Sequence, residues 1–263
     1  MKLARLVVAL SSLALLARGS EAGAAPAAPG TGSPVAVRPD LTVQLLRPGV
    51  WSHVSIAGPG PLEGIPANGL LAEIDGGLLL VDTTWNDEQV SALVDWAQRE
   101  LHRPVVAAVA THSHGDRTGG LGALRRRGIP VGGLDLTAAR AAQAGMPALE
   151  VLLSTAEPVR RDARGFELFY PGPGHAADNI VVWLPRAQVL FGGCFVKDAA
   201  AEGLGNVADA DLGAWPGSIE AVRRRYAQAA VVVPGHGPVG DKGALEHTLE
   251  LLRRAAAAAP ERH

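Results

Sequence analysis

The sequence predicts a layered α/β fold in which helices cover the outer faces of two mixed β-sheets. Apolar, strand-like runs come first in pairs and then alternate with amphipathic helices, and this order occurs twice along the chain. With 263 residues, of which 48% are hydrophobic and 19% are charged, the chain can bury a large core. Because no linker-like segment separates the two halves, we expect one domain.

The amino terminus has the organisation of a secretory signal peptide. A basic start at residues 1–5 precedes an apolar run at residues 6–17, and residues 22–24 supply the small side chains of a cleavage site. The run is too short to span a membrane, and Arg18 ends it. No cysteine lies near the cleavage region, which excludes a lipid anchor there. We therefore expect a periplasmic protein.

These observations give the expected division of the chain. Residues 1–24 would be the signal peptide, which is removed. Residues 25–39 would be a flexible lead-in that is rich in Ala, Pro and Gly, and residues 40–263 would be the single domain.

The first half is predicted to contain two pairs of strands, a helix and a further buried strand. The strand-like runs are residues 41–46, 51–56, 69–74, 78–81 and 105–110. Pro and Gly make residues 57–66 a loop, and Asp75-Gly76-Gly77 predicts a hairpin turn. Asn86 is expected to cap a helix whose buried stripe includes Val90, Leu93 and Leu101.

The second half repeats strands and helices. Strands are expected at residues 129–131, 166–170, 179–184, 188–192 and 231–233, with helices at residues 120–127, 137–144, 215–229 and 244–259. Residues 185–187 predict a hairpin turn, and the Gly, Ala and Asp content of residues 199–211 predicts a loop.

Metal-binding side chains gather where the predicted strands end. His112, His114 and Asp116 follow the strand at residues 105–110 and offer three ligand types within one short loop. Zinc takes nitrogen, sulfur and carboxylate oxygen, and an open zinc site uses about three protein ligands plus water. One such loop cannot complete two sites.

Three more candidate ligands lie at other predicted strand ends. His175 precedes the strand at residues 179–184, Cys194 follows the strand at residues 188–192, and His236 follows the strand at residues 231–233. Each lies beside a glycine, which gives the turning backbone room. The six candidates are enough for two zinc ions. Cys194 is the single cysteine, so in an oxidising compartment it is either an inert core residue or a thiolate with a function.

Four motifs resemble the metallo-β-lactamase superfamily, and within it the class B, subclass 1 β-lactamases. They are Thr-His-Ser-His-Gly-Asp-Arg-Thr-Gly-Gly at residues 111–120, Gly-Pro-Gly-His-Ala-Ala-Asp-Asn at 172–179, Phe-Gly-Gly-Cys-Phe-Val-Lys-Asp at 191–198 and Pro-Gly-His-Gly at 234–237. Their order, with Lys197 three residues after Cys194, makes the resemblance specific. It implies a four-layer αβ/βα sandwich.

The resemblance also implies an activity and two metal ions. His112, His114 and His175 would bind the first zinc ion, and Asp116, Cys194 and His236 the second. The enzyme would hydrolyse the amide bond of β-lactam antibiotics (penicillins, cephalosporins and carbapenems) and so give antibiotic resistance. A zinc-bound hydroxide would attack the ring, with no covalent intermediate.

The same resemblance implies roles for further residues around the substrate. Asp116, Lys197 and Asn206 would act in catalysis. Lys197 would pair with the substrate carboxylate, and Asn206 would help to hold the carbonyl group. Trp85, Leu62 and Ile65 would also contact the substrate. Taken alone, Lys197 could equally be a surface charge, Asn206 a turn residue and Trp85 a core aromatic.

Arg117 and Asp82 are candidates to orient the metal ligands through hydrogen bonds. His53, His102, His247 and His263 match no ligand position and are interpreted as surface or packing residues. The net charge of −2 argues against a nucleic-acid partner. We expect a monomer that has a small-molecule β-lactam as its partner and no membrane anchor.

Two alternatives stay open. A sister hydrolase of the superfamily, such as a thioesterase or a lactonase, resembles His-x-His-x-Asp-His, whereas this chain has Arg117 after Asp116 and a cysteine at 194. A non-catalytic periplasmic zinc-binding protein would keep the six ligands but has no need for Lys197 or a substrate-facing Trp85.

Overall fold

The computed structural model describes residues 32–258. The predicted signal peptide and His263 lie outside the described residues. Within this range, no helix combines the length and the apolar character that crossing a membrane requires.

The larger sheet has eight strands that lie side by side in chain order. They are β1 (Val35–Arg38), β2 (Leu41–Arg47), β3 (Val50–Ile56), β4 (Pro66–Ile74), β5 (Gly77–Val81), β6 (Val105–Val109), β7 (Val131–Leu134) and β8 (Glu150–Leu153). Strands β1 to β5 pair antiparallel, and β5 to β8 pair parallel. The predicted hairpin at Asp75-Gly76-Gly77 joins β4 to β5, and Ile74 pairs with Gly77.

The smaller sheet has five strands, also arranged in chain order. They are β9 (Val159–Asp162), β10 (Phe166–Phe169), β11 (Val181–Leu184), β12 (Val189–Gly193) and β13 (Val231–Pro234). Strands β12 and β13 are parallel, and the other pairs are antiparallel. Both sheets are therefore mixed, as the sequence predicts.

Six helices complete the described part of the fold, and three apolar clusters define its layers. The helices are α1 (Asp87–Glu100), α2 (Gly115–Thr118), α3 (Leu121–Arg126), α4 (Asp135–Gln143), α5 (Trp215–Arg225) and α6 (Gly243–Ala258). One cluster lies between the sheets, with Leu70 and Val109 from one sheet and Phe191 and Val233 from the other. The second joins α1, α3 and α4 to the larger sheet, and the third joins α5 and α6 to the smaller one. The predicted four-layer sandwich is confirmed.

Helix α1 begins as its sequence predicts. The side chain of Asn86 accepts a hydrogen bond from the backbone N–H of Gln89, and Asp87 and Glu88 occupy the first turn. Asp87 also accepts hydrogen bonds from the Ala123 N–H at 2.8 Å and from Arg126 Nη2 at 2.8 Å. These contacts fix α1 against α3, beside the loop that carries the first histidines.

The structure corrects the expected flexible lead-in over residues 35–38. These residues form β1, in which Val35 pairs with Val43 and Ala36 with Thr42, and Val37 packs against the apolar cluster beneath α1. The Ala, Pro and Gly content of residues 25–39 hides a short alternating strand. The folded part of the chain therefore begins before residue 40.

Other element predictions were wrong at the sheet edges and at glycines. Strands β8 and β9 were not predicted, because they are short and β9 carries Arg160 and Arg161. Strand β7 runs from Val131 to Leu134 instead of residues 129–131, since Gly132 and Gly133 weaken the strand pattern. Helix α5 ends at Arg225, four residues earlier than expected.

Candidate metal centre and cavity

Three histidines converge at one edge of the sandwich. His112 Nε2 lies 3.1 Å from His114 Nδ1, and His175 Nε2 lies 3.2 Å from the same atom. The three rings stand nearly perpendicular to one another, with interplanar angles of 77°, 84° and 88°. Their nitrogens therefore face a common point, as the ligands of one metal ion do.

The surroundings keep the imidazoles of His112 and His175 neutral. Burial lowers the pKa of His112 well below its usual value. Burial and the charge of Lys197 lower the pKa of His175 to about 3. A neutral imidazole is the form that binds a metal ion.

Hydrogen bonds from three segments hold this group in place. Asp178, which is fully buried, accepts a bond of 2.9 Å from the backbone N–H of Ser113, between the two ligands of that loop. The Ile180 N–H donates to the Thr111 carbonyl at 2.9 Å, which joins the His112 loop to the start of β11. His114 Nε2 lies 3.0 Å from Asp209 Oδ2. The sequence analysis missed both aspartates, which lie in loops and show no pattern of their own.

A second group forms beside the first. Cys194 Sγ lies 3.4 Å from Asp116 Oδ2 and 3.2 Å from His236 Nε2, and His236 Nε2 lies 3.2 Å from Asp116 Oδ2. The thiol is buried among charged and polar groups, so the alternative of an inert core cysteine does not describe its surroundings. Oxygen, sulfur and nitrogen from these three residues match the donors that zinc prefers.

In this second group, Asp116 and His236 stabilise each other's charged forms. Against the effect of burial, Arg117 and His236 hold the pKa of Asp116 well below its usual value. Burial also opposes protonation of His236, but Asp116 and Cys194 raise its pKa to about 9. A proton on His236 thus stabilises the cluster wherever no metal ion is bound.

Arg117 lies beneath the second group and has no exposed surface. Its Nη2 atom donates to Cys194 Sγ at 2.9 Å and to the Gly235 carbonyl at 2.9 Å, and it lies 2.7 Å from Asp116 Oδ2. Its Nη1 atom donates to the Asn68 carbonyl at 2.5 Å. One guanidinium therefore orients two candidate ligands and the backbone next to a third.

Asp82 connects Arg117 to the loop of the first group. Its Oδ1 atom accepts the Thr111 N–H at 2.7 Å, and its Oδ2 atom lies 3.2 Å from Arg117 Nη1. Burial raises the pKa of Asp82 to about 6, despite the neighbouring guanidinium. The backbone at Asp82 has φ of 56°, a conformation that residues other than glycine seldom adopt.

Asn68 is a supporting residue that the sequence analysis missed. Its side-chain amide donates to the Pro234 carbonyl at 2.9 Å and to the Gly237 carbonyl at 2.8 Å. These bonds fix the loop that carries His236, whose Nδ1 lies 2.6 Å from the Pro66 carbonyl. The available signal was a polar residue directly before the apolar run at residues 69–74.

Both groups open onto one cavity of about 530 Å³. It is lined by the five predicted substrate residues Leu62, Ile65, Trp85, Lys197 and Asn206, and by the candidate ligands His114, Asp116, His175, Cys194 and His236. His112 lies behind them, 1% exposed. Sequence reasoning thus selected residues that the fold brings around one opening.

The predicted substrate residues differ in their settings. Leu62 and Ile65 are exposed at 51% and 38%, and Trp85 is half-buried with its indole N–H bonded to the Ser55 carbonyl. The ammonium of Lys197 lies 5.5 Å from the centre of the Trp215 ring, and burial lowers its pKa. Asn206 is exposed and accepts the Ala208 N–H through Oδ1.

The sandwich and the His, Asp and Cys groups at its strand ends define the class of protein: an α/β metalloprotein with its metal centre at a cavity. Comparison with known protein families matches residues 62–236 to the Metallo-beta-lactamase superfamily. The chain belongs to this superfamily.

Similar proteins from several bacteria carry the name "Metallo-beta-lactamase type 2". The one from Bacillus sp. (strain 170) is 43% identical over 213 residues, which are 81% of this chain and 82% of that protein. The one from Bacteroides fragilis is 37% identical over 223 residues, which are 84% of this chain and 88% of that protein.

Solved structures give the same result. The metallo-beta-lactamase from Pontibacter korlensis is 41% identical, with a TM-score of 0.75 over 81% of this chain and 99% of that one. FIM-1 from Pseudomonas aeruginosa, solved in the mono-zinc form, is 37% identical, with a TM-score of 0.78 over 84% of this chain and 99% of that one.

Proposed function

We propose that this chain is a zinc-dependent β-lactamase, which hydrolyses the amide bond of penicillins, cephalosporins and carbapenems and so gives antibiotic resistance. The observation that carries the proposal is the shared cavity, where both candidate ligand groups lie beside Lys197. The names of the similar proteins support it, because the similarity covers most of this chain and of each relative.

We assign two zinc ions to the two groups. His112, His114 and His175 hold one ion, and Asp116, Cys194 and His236 hold the other. The convergence of the three histidine nitrogens supports the first site. The contacts among Asp116, Cys194 and His236, together with their donor types, support the second. When bound, zinc acts as a Lewis acid and lowers the pKa of a water molecule that it coordinates.

Lys197 binds the substrate carboxylate in this proposal. Its ammonium is largely desolvated, which lowers its pKa, and it lies over Trp215 without an ion-pair partner among residues 32–258. A half-buried cation without an ion-pair partner gains from an anion that enters the cavity.

Asp116 and Asn206 act on the reacting amide. Asp116 has Oδ2 fixed by Arg117 and His236, so its carboxylate is held rigidly where it can accept a hydrogen bond from the attacking water. Asn206 already uses Oδ1 to accept the Ala208 N–H, and its Nδ2 group serves as the donor to the lactam carbonyl oxygen.

Hydrolysis proceeds without an acyl-enzyme. The lining of the cavity, as described within residues 32–258, includes no serine or threonine. Cys194 is the one thiol there, and it is held by Arg117 and His236 on the side of the second group. Direct attack by water is the route that these side chains support.

The test is the loss of β-lactam ring absorbance for a carbapenem and a penicillin, measured with the mature protein. We expect turnover that a chelator abolishes and added zinc restores. Folded, zinc-loaded protein that hydrolyses neither compound would contradict the proposal, and a screen of thioesters and lactones would then follow.

The role of Lys197 has a test of its own. Lys197→Ala should mainly raise KM. The control is Lys242→Ala, which replaces an exposed lysine outside the cavity and should leave the kinetics unchanged.

We also propose that residues 1–24 direct export to the periplasm and are then removed, and that the mature protein is a monomer. Amino-terminal sequencing of periplasmic protein and light scattering test these points. An intact leader or the mass of a dimer would contradict them.

A further inference from the structure

Asp198, the residue after Lys197 in the chain, also lines the cavity. Its Oδ1 atom accepts the Ala200 N–H at 2.9 Å. Its carboxylate lies against Gly237, where it leaves no room for a side-chain carbon. Asp198 is half-buried in the cavity wall and remains open to a ligand.

The two neighbouring charges point to different parts of the wall. The Lys197 ammonium lies over Trp215 and near Gly205, whereas the Asp198 carboxylate lies beside Gly237, one residue after His236. Among the ion pairs of residues 32–258, none includes Lys197 or Asp198. The cavity therefore presents a separate cation and anion side by side.

The other carboxylates of the cavity wall are already engaged. Asp116 contacts Arg117 and His236, and Asp209 contacts His114. Among residues 32–258, no lysine, arginine or histidine side chain pairs with Asp198, which distinguishes it from the other carboxylates of the cavity lining. An anion of this kind attracts a positive group of the ligand and repels a negative one.

The chemistry of bicyclic β-lactams relates this pair of charges to one part of the substrate. In a cephalosporin, the ring carbon that bears the carboxylate adjoins the carbon that bears the variable ring substituent. If Lys197 binds the carboxylate, that substituent lies next to Lys197 and within reach of its chain neighbour. We propose that Asp198 is a specificity-determining residue that favours β-lactams with a cationic substituent at this ring carbon. The inference rests on the proposed function.

The test uses two cephalosporins that share the acylamino side chain. One carries a pyridiniomethyl group, which is cationic, and the other an uncharged acetoxymethyl group. Asp198→Asn keeps the Oδ1 acceptor for the Ala200 N–H and removes the charge. We expect the ratio of kcat/KM, cationic over uncharged, to fall about two- to fivefold, the range for a partly exposed ion pair.

Glu202→Gln is the matched control, because Glu202 is an exposed carboxylate of the same loop that does not line the cavity. It should leave the ratio unchanged, and added salt should lower the ratio of the wild-type enzyme. An unchanged ratio in Asp198→Asn, or an equal fall in both variants, would overturn the inference while the proposed function stood. Zinc-loaded wild-type protein that hydrolyses neither cephalosporin would overturn the proposed function and this inference with it.

Discussion

His53 is a residue outside the candidate ligand set that packs between neighbouring strands of the larger sheet. It lies on β3 opposite Gly69 and is 1% exposed, with its ring packed over that glycine. Neither ring nitrogen has a hydrogen-bond partner in the described structure. The sequence analysis left surface and packing roles open for His53, and the structure shows packing in a buried position. Burial lowers the pKa of His53 to about 4.

This pKa predicts a pH dependence of stability. The unfolded chain binds a proton at His53 near pH 6.5, whereas the folded chain resists it down to about pH 4. The stability that the neutral imidazole contributes is therefore present above pH 6.5 and lost as the pH falls towards 4, by roughly 2 kcal/mol between pH 7 and 4.5. In metal-free protein, His53→Gln should reduce the pH dependence of the unfolding free energy by that amount, measured in urea.

His102→Asn is the control for this measurement. His102 is exposed with φ of 53°, a conformation that asparagine tolerates, so its replacement should not alter the pH dependence. If the unfolding free energies of wild type and His53→Gln depended on pH in the same way, burial of His53 would not contribute to the pH dependence of stability.

At the scale of the elements, strand ends were the most predictable part of the molecule. Strands β6, β12 and β13 are buried apolar runs, and each is followed by a Gly-containing loop that carries His or Cys. This contrast is visible in the sequence, as is the Gly-rich segment with His175 that precedes β11. Edge strands lack it, since β9 is charged and β8 pairs on one side only. The supporting contacts of Asn68 and Asp209 were out of reach, because they join residues far apart in the chain.

Two glycine substitutions should change stability in opposite directions, because Gly69 on β4 is crowded by neighbouring atoms and Gly217 on α5 is not. A β-carbon at Gly69 would collide with the His53 ring and lie 2.7 Å from the Val81 carbonyl oxygen. Gly69→Ala should therefore destabilise the fold by about 1–3 kcal/mol. Gly217 is exposed on α5 with open space around it, so Gly217→Ala should stabilise by up to about 1 kcal/mol.

Urea unfolding of the zinc-loaded variants measures both changes. If Gly69→Ala protein were as stable as wild type, the strands around Gly69 would adapt easily to a side chain. The close packing of His53 over Gly69 would then contribute little to stability.

For the whole molecule, the proposed zinc ligands come from both sheets of the sandwich. His112, His114 and Asp116 follow β6 of the larger sheet, whereas Cys194 and His236 follow β12 and β13 of the smaller one. A bound ion therefore holds the two sheets together at this edge. Because binding to the folded state alone adds stability, zinc at about 100 times its Kd contributes about 2.7 kcal/mol.

Removal of one zinc ion should lower Tm by about 5–10 °C for a domain of this size, and removal of both should lower it by about twice as much. Cys194→Ser should reduce bound zinc from two ions to one, measured by elemental analysis, and should retain part of the shift in Tm. Two ions in Cys194→Ser, or a Tm that chelation leaves unchanged, would contradict the assignment of one ion to each ligand group.

The order of the strands has a kinetic consequence. In both sheets every strand pairs with its neighbours in the sequence, so each pairing closes only the connection between two consecutive strands. The longest of these connections, between β12 and β13, spans residues 194–230. Contacts between distant residues, such as Asn68 with Gly237, form when the two sheets dock. Since non-local contacts slow folding, we expect the sheets to assemble early and the His236 loop to reach the centre in the rate-limiting step.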